Sequence, residues 1–244
     1  MCYTEEKGDE TVLVKTKIQD KLALSGNMLK IIAAVSMLID HIGLIFFPYL
    51  RILRIIGRLA MPIFAYMIAE GCRYTKNKLR YFLGVFILGV FCQVVYMLAG
   101  GGWYLCMPLS FSLSILLIFA LQGVFRGVKL WVLALIAGVV LVYRLTCLVH
   151  LDYGFWGCML AVFAAMPMQW EKLDRRWSVL SMGVAMIPLA QYLGSVQWWS
   201  FLALPILLLY NGKRGKLRMK YFFYIFYPAH LGLLQGLYWL LSSI

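Results

Sequence analysis

Apolar residues run through this chain in long blocks, and polar residues collect in the short gaps between them. The blocks fall at roughly 28–47, 52–72, 80–99, 108–125, 129–148, 153–169, 178–194, 196–210 and 220–242. Most approach the about 20 residues a helix needs to cross the hydrocarbon of a bilayer, so the pattern predicts an all-α, polytopic transmembrane bundle of about nine spanning helices. Ser25-Gly26-Asn27 opens the first block and Pro48 closes it; Pro48-Tyr49-Leu50-Arg51 turns the chain into the second. The last two short blocks before the final one, 178–194 and 196–210, read equally as two crossings or as one re-entrant hairpin. Residues 1–27 are polar and mixed in charge, without the apolar core of a secretory signal, and read as a cytoplasmic tail.

Composition strengthens this picture. Of 244 residues, 63% are hydrophobic and 14% charged, against about 45–50% and about 25% in soluble domains. The chain needs lipid as its solvent, and a soluble nucleic-acid binder is excluded despite the formal charge of +13.

That charge is distributed by position. Arg73, Lys76, Lys78 and Arg80 share one gap, Arg126 and Lys129 another, Lys172, Arg175 and Arg176 a third, and Lys213, Arg214, Lys216, Arg218 and Lys220 the last. The intervening gaps, Gly100 to Met107 and Gly194 to Gln197, have no Lys or Arg. Such alternation follows the positive-inside rule and predicts a cytoplasmic amino terminus and an external carboxyl terminus. Arg51, Arg54, Arg58 and Arg144 are the exceptions. The six cysteines form no CxxC pair and no metal-ligand spacing, so no metal is expected. No matching pair of interrupted segments marks the two halves, which gives an inverted-repeat transporter no support.

Polar groups inside apolar blocks are the candidate chemistry, since each costs roughly 2.5–3.5 kcal/mol on insertion at a helix centre unless paired or facing a cavity. Asp40 and His41 are adjacent, so they point about 100° apart on a helix. One can face the bundle interior while the other meets a neighbouring helix, either as an acid–base pair or as an interhelical clamp. Arg51, Arg54 and Arg58 would share a helical face; the first two suit a headgroup belt, while the deeper Arg58 needs an acceptor, with Asp40 the nearest in depth. Glu70 fits an i, i+3 pair with Arg73. His150 and Asp152 flank an outer turn, where Asp152 also suits a helix N-cap. Tyr227 and His230 share a face beside Pro228 in the final block.

Several motifs carry a closer likeness: Leu29-Lys30 leading to Leu38-Ile39-Asp40-His41-Ile42-Gly43; Leu53-Arg54-Ile55-Ile56-Gly57-Arg58-Leu59-Ala60-Met61-Pro62-Ile63-Phe64; and Glu70-Gly71-Cys72-Arg73-Tyr74-Thr75. Asp152-Tyr153-Gly154, Tyr210-Asn211-Gly212-Lys213-Arg214-Gly215 and Phe223-Tyr224-Ile225-Phe226-Tyr227-Pro228-Ala229-His230-Leu231 follow in order. In these the chain resembles the TraX family, over a membrane domain of residues 28–244. The family is named for a conjugation protein that acetylates the amino terminus of pilin, and it is distantly similar to multi-span membrane acyltransferases. The resemblance implies acetyl-CoA as a cytoplasmic acyl donor and an unidentified acceptor, a peptide terminus or glycan, at or across the membrane. It marks Asp40, His41, Arg58, Glu70, Asp152, Tyr227 and His230 as site positions. Where the family is usually polar on the fourth block, this chain has Ser110, Ser112 and Ser114.

The expected mechanism has His41 as general base, or as an acylated carrier, with Asp40 orienting it. Arg58 steadies the thioester oxyanion or anchors Asp40, and His230 completes the catalytic group. Glu70, Asp152 and Tyr227 are expected to bind substrate, and Lys213 to Lys220 could hold the donor's phosphates, although the positive-inside rule accounts for that loop as well. The rival expectations are a proton-coupled small-solute transporter and a non-catalytic membrane assembly factor.

Overall fold

The computed structural model describes residues 23–98, 104–216, 219 and 222–242. The tail at 1–22, Gly100 to Gly102 of one uncharged gap, and Arg218 and Lys220 of the last basic gap lie outside them.

In chain order the helices are α1 (Gly26–Ile45), α2 (Arg51–Gly57), α3 (Ala60–Tyr74), α4 (Lys78–Leu98), α5 (Met107–Phe125), α6 (Leu130–Leu148), α7 (Gly154–Ala165), α8 (Arg175–Leu193), α9 (Ala203–Leu208) and α10 (Phe222–Ser242). Among the described residues five helical stretches are long and apolar enough to cross a membrane: α1, the joined Arg51–Tyr74, α4, α5 and α6. Gly154–Gln169 and Ser195–Leu208 are shorter apolar helices. Two arginines open α8 and Pro188 interrupts it, while Pro228, His230 and Gln235 dilute the apolar run of α10.

The block expected as one helix over 52–72 is broken at Arg58. Pro62 causes this: it has no N–H to give the Arg58 carbonyl four residues back, and its ring crowds that carbonyl. The Arg58 amide forks between the Arg54 and Ile55 carbonyls, and the Leu59 amide bonds three residues back, to Ile56. The turn swings α2 against α1, where glycines permit close approach. A Cβ on Gly57 would overlap the Asp40 side chain, and one on Gly43 would stand 2.7 Å from Leu53 Cβ.

The fold also contains a short parallel ladder, unforeseen in the sequence: β1 (Tyr104–Leu105) pairs with β2 (His150–Leu151). The Asp152 amide extends it by donating to the Leu105 carbonyl at 3.1 Å. This ladder ties the α4–α5 connection to the α6–α7 connection.

At the other end, the loop after α9 caps α1. Gly26 and Asn27 donate their amides to the carbonyls of Lys213 and Arg214, at 2.8 and 3.0 Å, and Leu24 bridges to Tyr210. Ser25 accepts from the Met28 amide at 3.3 Å, so the amides that a helix start leaves unpaired find partners.

The core lies where α3, α5, α7 and α8 meet, around Tyr66, Ile115, Ile118, Leu160 and Met186. The α7 face is small, with Gly157, Ala161, Ala164 and Ala165 buried, which lets neighbouring backbones approach in the way helices pack in lipid. By contrast α6 buries only Val142 and turns Leu130, Leu133, Ile136 and Leu141 outward, as a lipid-facing helix does. Two of the α5 serines serve packing: Ser114 donates to the Cys158 carbonyl of α7 at 2.8 Å, and Ser112 to its own helix at Pro108.

After α8 ends at Gly194, the chain returns through a 3-10 helix, Ser195–Leu202, and then α9. At about 2.0 and 1.5 Å rise per residue these advance about 25 Å. The return segment meets α1 at two levels, Tyr210 bridging to Leu24 just before the helix and Gln197 reaching the level of Asp40 through Arg58. It thus joins the Asp40 level of α1 to the start of that helix.

Candidate functional site

Asp40 and His41 point to different neighbours, as adjacent helical residues must. The Asp40 carboxylate accepts from Arg54 Nη1 at 2.8 Å and from Arg58 Nη2 at 2.9 Å on each oxygen. Arg58 Nη1 donates to Gln197 Oε1 at 3.3 Å, and its guanidinium carbon lies 6.0 Å from the Tyr153 ring centre. The side chains of Asp40 and Arg58 are 13% and 12% exposed, so water does little to weaken the pair. Two guanidiniums against one carboxylate leave this cluster positive.

His41 makes no contact with the Asp40 carboxylate; its partner is His230. His41 Nδ1 lies 2.9 Å from its own Met37 carbonyl and 3.2 Å from His230 Nε2, while His230 Nδ1 lies 2.8 Å from the Phe226 carbonyl. Both carbonyls are four residues back in the same helix and can only accept. Each neutral ring therefore carries its proton on Nδ1, an assignment made from the hydrogen bonds. His230 Nε2 then shares the one His41 Nδ1–H with the Met37 carbonyl, as the longer arm of a forked hydrogen bond, and His41 Nε2 keeps its lone pair. Phe226 stacks on the His230 ring at 5.0 Å and Tyr227 meets it edge-on at 5.5 Å, which holds its orientation.

His41 lines two adjoining cavities. One, of 460 Å³, is bounded by His41, Tyr96, Cys106, Asp152, Tyr227 and Gln235; the other, of 240 Å³, adds Asp40, Arg54 and Arg58. Asp152 and Tyr227 line both. The β1–β2 ladder sets Asp152 at this place. It opens onto the cavities but is ringed by protein, and that poor hydration pushes its carboxyl from the ordinary 3.8 up to about 6. The charge of Asp40 adds to the rise, while Arg58 and Arg54 oppose it.

Six of the seven residues marked in the sequence thus gather: Asp40, His41, Arg58, Asp152, Tyr227 and His230. Glu70 stands apart. It is buried twelve residues further along the helical stretch from Arg58, about 18 Å by helical rise, with Arg175 Nε 4.0 Å from Oε1 and the Tyr210 hydroxyl 3.5 Å from Oε2. Arg51 is exposed. Arg54, which the sequence offered as a headgroup belt, belongs to the Asp40 cluster; its i, i+4 spacing to Arg58 was the available signal. Gln197 was overlooked, although an amide in the apolar run Val196 to Trp199 that is 1% exposed needs a partner.

The TraX family profile, described as "TraX protein", matches residues 25–238. A Dichelobacter nodosus protein, "Probable fimbrial assembly protein FimC, serogroup H1", is 24% identical over 234 residues, covering 86% of this chain and 94% of that protein. "Uncharacterized protein RP591" of Rickettsia prowazekii (strain Madrid E) is 42% identical over 80 residues, 33% of this chain and 27% of the relative, so the chain spans little more than a quarter of that protein's length. No solved structure gives a match. With the family profile covering both halves of the site, from Asp40 to His230, this chain belongs to the TraX family.

Proposed function

We propose that this protein is an integral membrane acyltransferase that moves an acetyl group from cytoplasmic acetyl-CoA to an amine or hydroxyl acceptor at or across the membrane. The observation that carries the reading is the His41–His230 pair, with His41 among the residues that line a 460 Å³ cavity and its Nε2 outside the pairing. Membership of a family known for pilin acetylation supports the reaction type. On the reading of about nine crossings with the amino terminus inside, argued from the alternating basic gaps, this cavity would lie toward the outer side.

In this mechanism His41 Nε2 takes the proton of the acceptor as its nitrogen or oxygen attacks the thioester carbon. The Met37 carbonyl and His230 Nε2 share the His41 Nδ1–H and stabilise the imidazolium that forms, the orienting role expected of Asp40 from the sequence. Asp40 instead holds Arg54 and Arg58 in a fixed, net-positive cluster that favours negative charge on the thioester oxygen. Collapse of the intermediate expels the thiolate, which recovers the proton from His41. Asp152 and Tyr227 line the acceptor's space.

The deciding experiment is transfer of radiolabelled acetyl from acetyl-CoA by the purified protein in lipid with host membrane extract, comparing wild type with His41→Ala at matched folded amounts. Incorporation lost in the variant supports the assignment. No incorporation by wild type, across several donors and acceptors, removes it.

A second reading, a non-catalytic membrane assembly factor, draws on the similarity to a protein named for fimbrial assembly along 86% of this chain. It requires His41→Ala to lower complex formation only in step with folded yield.

A further inference from the structure

At the bundle end away from His41 lies a separate cavity of 370 Å³, lined by Arg73 at the end of α3, by Asp174, Arg175 and Arg176 at the start of α8, and by Tyr210. Arg175 is fixed in place. Its guanidinium carbon is 5.2 Å from the Tyr210 ring centre, and it packs so closely on Gly212, a left-handed residue at φ 72°, that a Cβ there would overlap it. Its Nε edge faces the buried Glu70 at 4.0 Å, beyond hydrogen-bond reach.

Arg175 nevertheless donates no hydrogen bond to any described protein acceptor. The guanidinium is two-thirds buried and held by an aromatic ring and a glycine, its Nε is buried without a hydrogen bond, and the planar fork lines the cavity, the arrangement of a group built to bind oxygen acceptors. Arg73 and Arg176 face the same concavity, against one exposed carboxylate, Asp174, 3.5 Å from Arg176 Nε. The nineteen-residue α8 also points its N-terminus, the positive end of its dipole, at this place. Planar forks, excess positive charge and a ligand-sized volume suit a phosphate or diphosphate.

We propose that this cavity binds phosphate groups, those at the head of the acyl donor, with Arg175 as the fixed fork and Arg73 and Arg176 as its flanks. The assignment of the ligand rests on the acyl-transfer reading. It moves the phosphate site from the Lys213 to Lys220 segment, where Lys213 and Lys216 are exposed, to three arginines from two helices, and it gives Glu70 the task of positioning Arg175. An anionic lipid headgroup offers the same phosphate chemistry, so the test separates the two sources.

Coenzyme A is titrated calorimetrically into the full chain in phosphatidylcholine nanodiscs, as wild type, Arg175→Gln, Arg73→Gln, Arg176→Gln, Lys213→Gln/Lys216→Gln and His41→Ala. Arg73 and Arg176 are exposed, so their variants keep the test valid should Arg175→Gln fold poorly. The expected result is at least tenfold weaker binding for Arg175→Gln, a clear loss for each flanking variant, and less than twofold change for the lysine and His41 variants. In parallel, mass spectrometry counts phosphatidylglycerol retained by wild type and Arg175→Gln. Retained lipid lost in the variant, with coenzyme A affinity unchanged, overturns the donor and assigns the phosphate site to lipid. No change in either arm overturns the site altogether. Coenzyme A bound through the arginines by a protein that transfers no acetyl would sink the acyl-transfer reading and leave the site standing. Acetyl transfer with an unaltered KM for acetyl-CoA in the arginine variants would do the reverse.

Discussion

His41 and His230, 189 residues apart in the chain, bring Nδ1 and Nε2 to 3.2 Å, each ring held by a bond to its own helix. The pair gives His41 the geometry of an oriented base, and the other contacts around it set what each further substitution should do.

Replacing His41 with Ala should lower acetyl incorporation by about 10²–10⁴-fold, the range for general acid–base groups. His230→Gln keeps a polar group but loses the imidazole acceptor and should fall between it and wild type. Single-turnover rates at matched folded protein check the order; equal activity of His230→Ala and wild type would separate His230 from the chemistry.

Asp40→Ala leaves two guanidiniums without their shared acceptor inside the bundle. Breaking one partner of a poorly hydrated pair costs about 3–5 kcal/mol. The melting temperature in detergent should drop sharply, and Arg58→Ala added to Asp40→Ala should recover part of the loss. A double variant as unstable as the sum of the two singles would count against this pairing.

Gly57→Ala should act on the same cluster without touching a charge. Its Cβ would overlap Asp40, so α2 must move away from α1, at about 1–3 kcal/mol for overpacking. Thermal melts would show it, and an unchanged melting temperature would mean that the two helices have room to separate.

Asp152 titrates at about 6 when folded against 3.8 ordinarily, so between those values the folded state holds a proton that the unfolded state has released. Stability contributed through this group is therefore present below about pH 4 and is lost as pH rises toward 6. Infrared difference spectra should show a protonated carboxyl band disappearing with a midpoint near 6, absent in Asp152→Asn. A midpoint at or below 4 would mean that the carboxyl is well hydrated.

Much of this site was legible because membrane helices make polar residues conspicuous. Asp40, His41, Arg58 and His230 stood out by cost, and the 100° rule separated Asp40 from His41 before any contact was known. What the sequence hid was pairing across distance. Nothing in His150-Leu151 announces a two-residue parallel strand against Tyr104-Leu105, so Asp152 read as a helix cap. Arg54 looked like a surface belt because the turn at Pro62, which brings α2 onto α1, was missed. Glu70 shared the family motif yet lies one helix length away, since motif membership carries no depth.

The cap on α1 has a consequence for biogenesis. Gly26 and Asn27 find their acceptors at Lys213 and Arg214. At a synthesis rate of about 5–20 residues per second, α1 waits roughly 10–40 seconds for the loop that finishes it. His230, later still, arrives on the last helix. During that interval the start of α1 lacks these two partners, so a truncated product ending before the loop would carry α1 capped by Ser25 alone and no histidine pair, and a membrane quality-control protease could tell it from the finished protein.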